Sequence, residues 1–323
     1  MSNENREAIV FKKVSFRDKL VNRIIGKHLS KLDIHVPSDV MERRMESLQG
    51  KQTPFDLTDA FVEDLEKTLS YHMQTSRSSF DVDGFPCYVF RPAECGKKKV
   101  LYFTGGAFYQ EPTGYHIRWI DSFALKAKAE LILVDYPKSP THHYADTYAM
   151  AEKVYAQVLK ESQAEDIVLM GDSSGGAISL TLPQYFASRG LRKPGSVIVF
   201  SAACSIMEKN PEQDAYQKKD PMLIGDSVSI PTRYWREGYR EKDGVINPMD
   251  LNLAELPRTL MISGDADILY PSGRDFARKA VREGADLKLY VFRGMYHVFE
   301  IYYQLNAAGE ASDLAADFLN AKA

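Results

Sequence analysis

The stretch Ile167-Val168-Leu169-Met170-Gly171-Asp172-Ser173-Ser174-Gly175-Gly176-Ala177 decides how the rest of the chain is read. Apolar residues, then G-D-S-S-G, then an apolar helical pattern describe a strand, a sharp turn and a helix. A serine hydroxyl is a weak nucleophile unless it is held where a base can reach it. A strand-to-helix turn holds it there, but the turn strains the serine backbone and crowds its neighbours. Glycine two positions before and two after relieves the crowding. Gly171 and Gly175 occupy those places around Ser173, and the adjacent Ser174 has no such pair. The helix that starts near Ser174 adds its positive end. A five-residue match of this kind arises by chance in many chains, and its plain alternative is a glycine-rich turn entering a helix. The flanking strand and helix favour the nucleophile.

Moving outward, strand-like and helix-like segments alternate from about residue 96. Val100–Phe103, Leu131–Val134, Ile167–Met170, Val197–Phe200, Leu260–Ile262 and Leu287–Phe292 are apolar strand candidates. Met150, Val154 and Val158 share one helix face. Continuous apolar strands separated by helices predict a mostly parallel sheet covered on both faces. Before them, Asp81–Phe90 with Asp83-Gly84 at its centre predicts an antiparallel hairpin at the sheet edge. Two regions break the alternation. In residues 1–79, Phe16, Leu20 and Ile24 share a face after Ser15 as a cap, and Phe61, Leu65 and Leu69 repeat the spacing. Residues 204–250 are polar, with Tyr216, Tyr234, Trp235 and Tyr239 among them. We read residues 1–79 as an N-terminal helical cap segment, in preference to a mobile tail over residues 1–30. Residues 80–323 then form the catalytic domain, with a cap insertion at about 204–250. Such a cap would sit over the strand ends, where open α/β sheets place their sites.

The whole-chain numbers agree with one large α/β domain plus an appended part. There are 323 residues, 44% hydrophobic and 26% charged, with 18 Tyr and 16 Phe. A net charge of −3 gives no support for nucleic-acid binding. The polar start, Met1 to Val10, lacks a secretory pattern, and no run of about 18 apolar residues occurs, so no stable membrane insertion is expected. Cys87, Cys95 and Cys204 are an odd number without metal-like spacing, which suits reduced thiols in a cytoplasmic protein.

The segment Val100 to Phe108 is a second strand ending in small residues. Attack on an ester carbonyl makes a negative oxygen, and preorganised N–H groups aimed at it lower the barrier. Gly105 and Gly106, with the N–H of Ser174, are the expected donors. Ala107, Phe108, Tyr109 and Tyr216 are candidate pocket walls, although an aromatic is more often core. Of seven histidines only His297 follows Ser173; it lies just past the last strand candidate. The order Ser, Asp, His makes it the base. Between them, Gly264-Asp265-Ala266-Asp267-Ile268-Leu269 offers two acids. Asp267, further around the loop, is preferred over Asp265 as the group that orients the imidazole.

Taken together these segments resemble the hormone-sensitive-lipase branch of the α/β-hydrolases, over roughly residues 81–305. T-G-G-A-F at 104–108 stands where that family has H-G-G-G-F or W, and V-D-Y at 134–136 precedes its R-L-A-P position. G-D-S-S-G-G at 171–176 is similar to G-D-S-A-G-G. D-P-M-L at 220–223, G-D-A-D-I-L at 264–269 and G-M-Y-H-V-F at 294–299 complete the likeness. The resemblance implies a mostly parallel eight-stranded sheet with helices on both faces and a helical cap. It implies Ser173, Asp267 and His297 as triad and Gly105, Gly106 and Ser174 as oxyanion donors. It also implies an esterase preferring short acyl chains. Thr104, Ala107, Pro137-Lys138-Ser139 and Pro183 depart from the pattern, and Pro183 is expected to kink or shorten its helix.

The expected chemistry is hydrolysis of small-molecule, short- to medium-chain carboxylic esters by two-step acyl transfer, without metal or organic cofactor. An amidase or deacetylase on the same triad, or a silent ligand-binding homologue, are the alternatives. The missing Lys of a P-loop argues against a phosphate cradle. Edge pairing near Leu287–Phe292 would admit a homodimer.

Overall fold

The computed structural model describes residues 8–29, 36–223, 225–240 and 244–321. Among the described residues nine strands form one sheet: β1 (Ile9–Lys12), β2 (Ser76–Val82), β3 (Phe85–Arg91), β4 (Lys99–Phe103), β5 (Glu130–Val134), β6 (Ile167–Asp172), β7 (Ser196–Phe200), β8 (Arg258–Gly264) and β9 (Leu287–Phe292). Their order is β1-β9-β8-β7-β6-β4-β5-β3-β2. Among the described residues only the pairings of β3 with β2 and β5 are antiparallel. The β2–β3 hairpin turns at Asp83-Gly84, both at positive φ (56° and 86°), the conformation a tight two-residue turn demands.

The helices are α1 (Phe16–Leu29), α2 (Ser38–Leu48), α3 (Asp59–Leu69), α4 (Gly114–Ala127) and α5 (Tyr144–Val158). They continue with α6 (Ser173–Ser188), α7 (Gln213–Tyr216), α8 (Gly225–Trp235), α9 (Tyr270–Arg282) and α10 (Asn306–Asn320). The two-residue period of the strands divides the core. Leu101, Phe103, Leu169 and Val199 face α5, α6 and α9. Val100, Tyr102, Val168 and Ile198 face α4 and α10. Both faces are therefore dry, which explains why these strands read as unbroken apolar runs. Helix α6 passes through Pro183 and is not shortened there.

Three sequence expectations change. Among the described residues the sheet has nine strands, not eight, because Ile9–Lys12 pairs in parallel with β9. Four residues carry no periodic signal, and only the backbone edge of a strand some 280 residues away selects their conformation. For the same reason Leu287–Phe292 is not an exposed edge open to dimer pairing; β1 covers it. Third, Phe16, Leu20 and Ile24 do share a face of α1 capped by Ser15, whose Oγ accepts the Asp18 N–H at 3.0 Å, but that face points to solvent. Periodicity reports a face and not its direction.

In the N-terminal helical cap, α2 packs on α8. Met41 and Met45 meet Ile230 and Tyr109 there, and Arg233 pairs with Glu42. Phe61 and Leu69 pack, with the buried Leu65, into the core beside α4.

Candidate active site

Ser173 stands at the junction of β6 and α6 with φ 51°. The two flanking glycines are there for clearance. A Cβ on Gly171 would lie 2.5 Å from the Gly175 carbonyl oxygen, and one on Gly175 would lie 1.9 Å from that of Phe103. The turn thus presses α6 against the end of β4, and only glycine allows the approach.

His297 and Asp267 come from loops after β9 and β8. His297 Nε2 lies 2.9 Å from Ser173 Oγ, and its Nδ1 lies 3.0 Å from Asp267 Oδ1. Asp267 is fully buried, and its Oδ1 also accepts the Leu269 N–H at 2.8 Å. The Ser201 hydroxyl accepts the Val298 N–H at 3.0 Å and so steadies the histidine loop. Burial disfavours the His297 cation, but the Asp267 carboxylate, with Asp220 and Asp172 behind it, outweighs burial and raises the imidazole pKa above its ordinary value. Asp265, the competing acid, is instead turned to the Gly294 N–H at 2.5 Å.

The glycine loop after β4 faces the serine. Here one sequence assignment needs correcting. Gly105 is not a free oxyanion donor: its N–H donates to Asp172 Oδ1 at 3.0 Å. The N–H groups of Gly106 and Ala107 have no acceptor among the described residues. Gly106 (φ 116°), Ala107 (49°) and Phe108 (65°) all hold positive φ. Neighbours hold this strained run in place. The Phe108 N–H donates to Ser174 Oγ at 3.2 Å, the Ser139 N–H donates to the Phe108 carbonyl at 2.9 Å, and the Tyr136 hydroxyl donates to the Thr104 carbonyl at 3.0 Å. Lys138, buried and paired with Asp135 and Glu111, anchors the segment that supplies Tyr136 and Ser139.

The cavity beside Ser173 measures about 90 Å³ and is lined by Ala107, Tyr109, His116, Met222, Leu223 and Val298 among others. Ala107 and Tyr109 stand in this wall. Phe108 does not: it is 1% exposed and stacks on Trp235 with centroids 4.0 Å apart. Tyr216 packs against Tyr270 and is absent from the cavity lining.

Sequence reasoning missed a supporting network. Asp172 Oδ1 accepts the Tyr102 hydroxyl at 2.6 Å as well as the Gly105 N–H, and His116 Nε2 lies 3.6 Å from Oδ2. Burial would raise the Asp172 pKa, but His116, Tyr102 and Gly105 together hold it below the usual value. Asp220, from D-P-M-L, accepts the N–H groups of Ile268 and Met222 at 2.9 and 2.8 Å. Burial first, then the charge of Asp267, pushes its pKa up to about 6. Ligand atoms of Asp220, Asp267 and His297 lie within 4.8 Å of one another, a spacing that a metal ion could bridge. Each of the three already has a hydrogen-bond partner: Asp220 the Ile268 and Met222 N–H groups, Asp267 the Leu269 N–H and the imidazole, and His297 Nε2 the serine hydroxyl. The acidic D of D-P-M-L was visible in the sequence, but its partner was not.

A buried Ser-His-Asp relay at the carboxyl ends of a mostly parallel sheet, facing free backbone N–H groups, defines a serine hydrolase. Residues 100–301 match the family model described as alpha/beta hydrolase fold, and the chain belongs to that family. An esterase of Acinetobacter venetianus is 26% identical over 207 residues, covering 63% of this chain and 68% of that protein. A solved structure from Staphylococcus aureus superposes with a TM-score of 0.81 at 23% identity, covering 93% of this chain and 99% of that one. A solved esterase of the bacterial hormone-sensitive lipase family gives 0.76 at 18% identity, covering 94% and 97%.

Proposed function

We propose that the protein is a carboxylesterase that works through an acyl-enzyme on Ser173. The observation that carries this reading is the unbroken relay from Ser173 Oγ through His297 to Asp267, at 2.9 and 3.0 Å, opening on a cavity of about 90 Å³. His297 takes the serine proton as Oγ attacks the ester carbonyl, then gives it to the departing alcohol. Water, activated by the same imidazole, releases the acid. Asp267 keeps Nδ1 protonated and stabilises the imidazolium. Gly106, Ala107 and Ser174 donate N–H groups to the oxyanion, each worth about 2.7–4 kcal/mol in such sites.

The small cavity favours short acyl groups; a space of ~150 Å³ is enough to hold benzene, so this one suits a chain of a few carbons. Residues 1–79 and about 204–250 act as the cap, since Met222, Leu223 and Val228 of the second segment stand in the cavity wall. Residues 80–323 supply the catalytic domain.

The decisive experiment is Ser173→Ala assayed on p-nitrophenyl acetate, with fluorophosphonate labelling of the parent protein. Turnover and labelling should both vanish in the variant while its circular dichroism stays unchanged. Wild-type turnover in Ser173→Ala would refute the nucleophile. Faster cleavage of an anilide than of its matching ester would make the protein an amidase instead.

A further inference from the structure

Helix α1 has two unlike sides. Gly26 and Leu29 are buried and Val21 and Ile25 pack with the core, whereas Phe16, Leu20 and Ile24 are 84%, 51% and 62% exposed. At about 100° per residue these three form a single outward stripe. Lys13, Arg17, Lys19, Arg23 and Lys27 are exposed around it. The one acid of the helix, Asp18, is buried and engaged by Ser15 and the Asn306 N–H. Lys13, Lys19 and Arg23 make no ion pair among the described residues, and Arg17 donates to a neutral partner, the Asn306 side-chain oxygen. Upstream on the edge strand, Phe11 is 49% exposed with Arg293 over its ring. The chain as a whole carries a net charge of −3, so this concentration of cations is local.

Single exposed apolar residues need no explanation, but a contiguous apolar stripe bordered by cations does. A second copy of the chain fits it poorly, because face-to-face pairing would set one row of cations against another. An anionic lipid surface answers both features: acyl chains receive the stripe and headgroups receive the lysines and arginines. We propose that the outward face of α1 docks on an anionic phospholipid surface, with the helix lying in the plane of the interface. Among the described residues no helix is long and apolar enough to cross a membrane.

The docked helix would adjoin the reactive centre. Asn22 Nδ2 donates to the Gly294 carbonyl at 2.7 Å, three residues before His297. Gly26 packs on Pro221, where a Cβ would come within 3.1 Å of Cγ, and Met222 and Leu223 beside it line the cavity. Lipid contact would therefore place the cavity rim close to the lipid–water boundary.

The test is flotation of the full chain with vesicles of phosphatidylcholine alone or mixed with phosphatidylglycerol. Binding should require phosphatidylglycerol and weaken with salt. The double variants Leu20→Ser/Ile24→Ser and Lys19→Glu/Arg23→Glu should each lower the partition coefficient at least about tenfold. Turnover of a dissolved p-nitrophenyl ester, read separately, should stay at the parent level in both. Failure of the parent to float with the mixed vesicles would overturn the proposal, as would equal flotation of parent and variants. A dimer in sedimentation that Leu20→Ser/Ile24→Ser dissociates would assign the face to a second copy.

Discussion

The Asp172 carboxylate accepts the N–H of Gly105 at 3.0 Å, so the residue before the nucleophile holds the loop that faces it. That bond ties the loop after β4 to the last residue of β6, its neighbour in the sheet, and the next two N–H groups of the loop have no acceptor among the described residues. Tyr102 and His116 complete the carboxylate's surroundings. Asp172→Asn keeps the shape but gives up the charge. Hydrogen bonds to a charged group are worth about 1.5–3 kcal/mol, so kcat on p-nitrophenyl acetate should fall roughly ten- to a hundredfold with KM little changed. An unaltered kcat would show that the loop holds its shape without this carboxylate.

The pH profile follows from His297. The base must be neutral to accept the serine proton, and Asp267 holds its pKa above the ordinary value despite burial. Activity is therefore lost as pH falls through that raised pKa, and the acid limb of kcat/KM lies above the one an unperturbed histidine would give. Asp220 adds to the upward push while it is ionised, above about pH 6. Asp220→Asn removes that charge, so the limb should move to lower pH. A limb that moves upward would contradict the sign of the interaction.

Two glycines should respond in opposite directions. Gly175→Ala forces a methyl to within 1.9 Å of the Phe103 carbonyl oxygen, a backbone atom that cannot step aside. The loss of unfolding free energy in urea should exceed about 3 kcal/mol, the upper range for overpacking. Gly309 in α10 is exposed, and a Cβ there meets nothing within 4 Å. Gly309→Ala should stabilise by about 0.5–1 kcal/mol through helix propensity and the stiffer unfolded chain.

Phe108 and Tyr109 are adjacent but have different work. Phe108→Ala empties a buried site against Trp235 and should cost about 3–5 kcal/mol of stability, without a change in the order of preference among acyl chains. Tyr109→Ala widens the cavity and should raise kcat/KM for longer p-nitrophenyl esters relative to the acetate. A chain-length series on both variants separates the two roles.

How much of this was legible in the sequence varies by residue. The central parallel strands β5, β6 and β7 were readable because both faces of each are dry, and a run such as Ile167-Val168-Leu169-Met170 has no polar position to obscure it. Ser173, His297 and Asp267 were readable because glycine placement and chain order narrow the choice, and the distances now join the three. Strand β1 was not readable: Ile9–Lys12 is extended only because β9 offers it a partner. The role of Gly105 was misread because one N–H cannot be told from its neighbour until Asp172 is seen to take it. Phe108 was misread because its partner, the Trp235 ring on which it stacks, is remote in the chain.

By itself, then, the sequence determined the succession of buried strands and helices, the strained turn at Ser173, and the types and order of the reacting groups. These are local properties, written in periodicity and in the placement of glycine. Tertiary structure alone decided which loop N–H groups stay free, which way the Phe108 side chain turns, and which way the apolar stripe of α1 points. Each of those depends on a partner remote in the chain, and the backbone hydrogen bonds and steric limits that select it exist only once the sheet has brought the loops together.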